Sequence, residues 1–143
     1  KPSLRDKDTY FKDNYIPLVE NEKIILINGD LNFHPNLSLY KVNGHTYGMQ
    51  LVGVFDDNNS FLYTSDLIPL ASHINFSYIM SYDLLPLISL EEKKLFLEEC
   101  YSKKVSLILE HDDNSDVIKL GKNEKGYTVE EKYNWNELNE KTN

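Results

Sequence analysis

Gln50-Leu51-Val52-Gly53-Val54-Phe55-Asp56-Asp57-Asn58-Asn59-Ser60-Phe61-Leu62-Tyr63-Thr64 holds two β-rich runs around an Asp-Asn turn. β-Branched and aromatic residues suit a pleated, half-buried surface, and Asp and Asn favour turns. A hairpin is predicted, with Asp66 at the end of its second strand. Upstream, Leu37, Leu39, Tyr40 and Val42 predict a strand before Gly44, after a turn at His34-Pro35-Asn36. Residues 23–27 read as a buried strand closed by Asn28-Gly29-Asp30, and residues 4–15 as a short helix limited by Pro17. Downstream, residues 67–88 are irregular, with Pro69 and Pro86 as breakers. Ser89 with Glu92 reads as a capping box that opens a helix ending near Lys103 and Lys104. Residues 105–109 form a continuous apolar strand with His111 just beyond it. A last hairpin is predicted from residues 117–120 and 127–133, before a polar tail over 134–143 that Trp135 is placed to dock. The elements read as an α/β (α+β) chain.

The 143 residues carry 15 basic and 23 acidic side chains, a net charge of -8. That balance disfavours a nucleic-acid partner, whose phosphates need a basic surface, and Arg5 is the sole arginine. No apolar run is long enough for a membrane span. Cys100 is the lone cysteine, which excludes an internal disulfide framework and fits a reducing cytoplasm. The chain opens on Lys1 and its methionines are Met49 and Met80, so a preceding segment is expected.

His45, Asp66 and His111 share one context, loops at strand ends, where α/β folds place their sites. Two imidazoles and a carboxylate suit zinc or a similar divalent metal. Taken singly, each reads more readily as a turn or capping residue than as a ligand. Asp112, Asp113 and Asp116 lack calcium-loop spacing. His34 reads as a turn residue, Asp83 as a loop pin and Cys100 as a small core residue.

Gly44-His45-Thr46-Tyr47-Gly48-Met49-Gln50 resembles the Gly-His-Thr-Pro-Gly-His-Gln segment of the metallo-β-lactamase superfamily. Tyr63-Thr64-Ser65-Asp66-Leu67-Ile68-Pro69 resembles that superfamily's Thr-Gly-Asp segment, and Leu109-Glu110-His111-Asp112 its last metal-binding histidine. The likeness is greatest to the lactonase-like and organophosphate-hydrolase-like branch, where a histidine follows the Asp-Leu-Ile-Pro segment, as His73 does here. The resemblance implies that His45 binds one metal, Asp66 bridges two and His111 binds the second. A metal-activated hydroxide would then attack an ester, lactone or phosphotriester. Thr46 and Ser65 would orient the ligands, and His73 and Tyr82 would line the substrate pocket.

The chain departs from that pattern at Tyr47, Met49 and Ser65, which replace a proline, a histidine and a glycine. More important, the family's His-x-His-x-Asp-His motif is missing, and the four histidines are too scattered to build it. Residues 1–133 are therefore expected to be the C-terminal half of a metallo-β-lactamase-like αββα sandwich, with one mixed β-sheet and flanking helices. Two ions are implied for the complete protein, and partial or no metal for this chain. Its inner sheet face would need the missing N-terminal half, or a second copy of the chain, to cover it. The other reading is a catalytically inactive fragment or a partner-binding module.

Overall fold

The computed structural model describes residues 7–137 together with Pro2, Leu4 and Arg5. Lys1 and the tail beyond residue 137 lie outside the described residues. Seven strands form one sheet in sequence order: β1 (Leu31–His34), β2 (Leu37–Val42), β3 (Met49–Phe55), β4 (Ser60–Tyr63), β5 (Ser106–Ile108), β6 (Val117–Asn123) and β7 (Gly126–Tyr133). All neighbours are antiparallel except β4 and β5, which run parallel. Tight turns make the antiparallel pairs, whereas the parallel pair needs a long crossover. That crossover contains α2 (Pro86–Lys103).

One face of the sheet carries the core. Leu51, Leu62, Leu107 and Ile118 are buried with Leu97 and Cys100 of α2 and with Leu67, Ile68 and Ile74 of the crossover. Each fully buried leucine or isoleucine contributes about 2 kcal/mol. Cys100 is a core residue as expected, and burial pushes its thiol up to about 12. On the other face, the strand registers align Leu39 with Val52 and Tyr63, and Leu37 with Val54 and Phe61. Val54 on that face is 43% exposed. No helix among the described residues is long and apolar enough to cross a membrane.

Three local expectations are corrected. Residues 23–27 form no strand, and Leu26 is 93% exposed. An apolar run becomes a strand only beside a neighbour that takes its hydrogen bonds, and the sheet begins later, at β1. The first helix is displaced: α1 is Lys12–Glu20, with Pro17 inside it and no buried residue. The capping box does not form either. α2 starts at Pro86, whose missing N–H costs nothing at the first helical position, and Ser89 lies buried within the helix. Glu92 instead accepts hydrogen bonds from the backbone N–H groups of Asn43 (2.8 Å) and Gly44 (3.0 Å).

α2 also carries a buried lysine. Lys93 is 2% exposed, and its ammonium donates to the carbonyls of Asn75 (2.9 Å) and Tyr78 (2.6 Å). Burial lowers its pKa to about 8, against the opposing attraction of Asp83. The unfolded chain keeps that proton up to the ordinary lysine value, so folding stability should rise from about pH 8 towards pH 10. Thermal melts at pH 7.5 and 9.5 measure the rise, and Lys93→Met should lose it. An equal rise in both proteins would assign it to another group.

Candidate metal centre

The three strand-end residues meet. His45 follows β2, Asp66 follows β4 and His111 follows β5. His45 Nε2 lies 3.3 Å from Asp66 Oδ2, and His111 Nε2 lies 3.2 Å from Asp66 Oδ1. One carboxylate thus stands between two imidazoles and offers a different oxygen to each.

Local packing fixes each member. Thr64 is fully buried; its hydroxyl shares its one proton between the carbonyls of Ile68 (2.8 Å) and Ile108 (3.0 Å), and its N–H donates to the Ile108 carbonyl (3.1 Å), which ties the Asp66 turn to β5. The His111 N–H donates to the Pro69 carbonyl at 3.1 Å. The Gly44 and His45 carbonyls accept from the N–H groups of Leu85 (2.8 Å) and Leu84 (3.1 Å), while Glu92 holds the other side of that segment. His45 Nδ1–H donates to Asp83 Oδ1 at 2.9 Å, and the accepting Asp83 is 5% exposed. That bond raises the His45 pKa against its burial, and Asp66 raises it further.

The donor set fits a divalent cation. With Nδ1–H given to Asp83, a neutral His45 ring turns its Nε2 lone pair towards Asp66 Oδ2. Two lone pairs at that separation need a proton or a cation between them. Bonds of about 2.0–2.1 Å in a tetrahedron place neighbouring ligand atoms ~3.3 Å apart, close to both His–Asp separations. A metal-bound histidine usually gives its other N–H to a carboxylate, as His45 does.

A cavity of about 730 Å³ opens over these groups. Met49, Leu70, Met80 and Leu84 supply its apolar wall, and Tyr82, Thr46 and Ser65 also line it. His73 does not line this cavity. It lies on a short 3-10 helix (Ala71–Ile74), where burial and then Lys93 lower its pKa and its Nδ1 has no hydrogen-bond partner among the described residues. Asp112 accepts from the Ala71 N–H (2.8 Å) and the Ser115 hydroxyl (3.1 Å), a loop pin. Three nearby residues escape the sequence reading. Asp83 reads from the sequence as a loop pin, and its bond to His45 spans 38 positions, so no local spacing reveals it. Glu110 adjoins His111 and accepts a hydrogen bond from the Tyr63 hydroxyl. Arg5 lines the cavity and donates to the Ser81 carbonyl.

Ser65 has φ 46°, the left-handed region that glycine adopts without strain. A glycine at this position of the resembling motif therefore has a conformational reason. Ser65→Gly should stabilise the fold by about 0.5–1 kcal/mol, read as a higher Tm. A lower Tm would mean that the serine hydroxyl outweighs the backbone strain.

Comparison with solved structures identifies the fold. A probable metal-dependent hydrolase from Staphylococcus aureus matches with a TM-score of 0.76 and 22% identity, over 93% of this chain and 48% of its own. The chain has a metallo-β-lactamase-like fold. The dizinc quorum-quenching lactonase AidC matches this metallo-β-lactamase-like chain with a TM-score of 0.66 and 18% identity, over 86% of this chain and 45% of its own. The beta-lactamase-superfamily hydrolase AbOPH matches with a TM-score of 0.67 and 12% identity, over 82% and 41%. The chain spans about half the length of these proteins. No family model and no curated protein matches the sequence.

Proposed function

We propose that residues 1–133 form the C-terminal half of a metal-dependent hydrolase, and one wall of its active site. The observation that carries this reading is the Asp66 carboxylate set between His45 Nε2 and His111 Nε2, each on its own oxygen. His45 and His111 would each hold one of two divalent ions, zinc or similar, with Asp66 between them. When bound, such ions supply a hydroxide at neutral pH and polarise a carbonyl or phosphoryl oxygen. Asp83 keeps the His45 ring in the orientation that aims Nε2 at Asp66. The largely apolar cavity, lined in part by Tyr82, suits a small ester, lactone or phosphotriester.

The likeness to a lactonase and to metal-dependent hydrolases supports this reading, as does the half-length coverage. The remaining ligands would come from an N-terminal half that also covers the face of Leu39, Val52, Val54 and Phe61. A reducing cytoplasm suits the single buried thiol. A second reading, a catalytically inactive fragment or partner-binding module, is favoured by that same sheet face, which a second copy of the chain would equally cover.

The test is hydrolysis by the complete protein, offered a lactone, an aryl ester and a phosphotriester. Turnover that a chelator removes and zinc or manganese restores supports the enzyme. No turnover of any class by metal-loaded complete protein overturns it in favour of the binding module.

A further inference from the structure

The two sides of Asp66 are unequal. On the His45 side, this chain offers His45 Nε2 and Asp66 Oδ2. On the His111 side, a third group joins. One ligand atom each from Asp66, Glu110 and His111 lies within 4.8 Å of the others. The Tyr63 hydroxyl donates to Glu110 Oε2 and so orients that carboxylate from β4. Tyr63 and Ile108 are register partners, so the pairing of β4 with β5 sets this contact.

We infer that Glu110 is a metal ligand, and that Asp66, Glu110 and His111 bind one divalent cation in this chain without its other half. This rests on the metal-centre reading above and extends it to a residue outside the resembling ligand set. The chemistry is consistent. One imidazole and two carboxylates give three protein ligands, a catalytic-type zinc set that leaves a position for water. Two carboxylates also balance the charge of a divalent ion, and the Tyr63 hydrogen bond satisfies one further lone pair of Glu110. Among the described residues the His45 side offers two donors, His45 Nε2 and Asp66 Oδ2, so the His111 side fills first and alone.

Cobalt(II) tests the assignment, because its visible absorption reports coordination directly. The full 143-residue chain, stripped of metal, is titrated with Co²⁺ and followed by absorption and calorimetry. One Co²⁺ per chain is expected. Glu110→Gln should weaken binding by at least about 10-fold and change the spectrum, and Tyr63→Phe should weaken it less. Glu131→Gln, an exposed residue paired with Lys119, should change neither. Circular dichroism checks that each variant is folded. If Glu110→Gln matches the parent chain in affinity and spectrum while Asp66→Asn does not bind, Glu110 is no ligand, and the hydrolase reading stands. If the parent chain binds no Co²⁺, the inference fails, while hydrolysis by the complete protein still tests that reading separately.

Discussion

Asp66→Asn should abolish stoichiometric metal binding and lower kcat/KM of the complete protein by about 10³-fold or more, some 4 kcal/mol of transition-state stabilisation. The two residues match in shape, so the fold should survive. What changes is the donor set. The carboxylate offers one oxygen to His45 Nε2 and the other to His111 Nε2. An asparagine keeps a single oxygen and turns an NH₂ donor towards one imidazole, and it removes the charge that a divalent ion needs. Metal analysis after dialysis and steady-state kinetics give the two readings. Full metal content with unchanged kcat/KM would remove Asp66 from the centre.

Gly44→Ala should destabilise the fold by about 3 kcal/mol, a fall in Tm of about 10 °C. A Cβ on Gly44 would meet the Ser89 backbone nitrogen at 2.3 Å and its Cα at 2.5 Å. Those atoms belong to α2, so no side chain can swing aside. The backbone would shift instead, against four restraints: two N–H bonds to Glu92, and two carbonyl bonds from Leu84 and Leu85. The displacement would pass straight to His45, the next residue. Thermal melts measure the loss, and Gly44→Ala in the complete protein should also lower metal affinity. A Tm within 2 °C of the parent would mean that α2 yields at Ser89.

The central strands and the strand-end positions of His45, Asp66 and His111 were legible in the sequence. Residues 50–64 carry two β-rich runs and a turn, both of which are local signals. The resemblance supplied the order of the three site residues, and the fold places them together. What escaped was non-local. Residues 23–27 look like a strand to any measure of apolarity, yet no strand among the described residues pairs with them. Ser89 and Glu92 have capping-box spacing, but Pro86 already starts the helix and the Asn43–Gly44 turn takes the carboxylate. His73 matches a motif by spacing and lies on a short 3-10 helix, outside the residues that line the cavity. Asp83 and Glu110 owe their places to contacts across 38 and 47 positions, which no window of sequence contains.

The parallel pairing of β4 with β5 also sets an order of events. The hairpins β2–β3, β3–β4 and β6–β7 each close a short loop, so they can form early and independently. Joining β4 to β5 closes the much longer crossover that holds α2, and its entropy must be lost before any contact repays it. Asp66 and His111 sit on opposite sides of that junction. The nascent chain therefore keeps Asp66 and His111, two of the proposed metal ligands, apart until that long crossover closes.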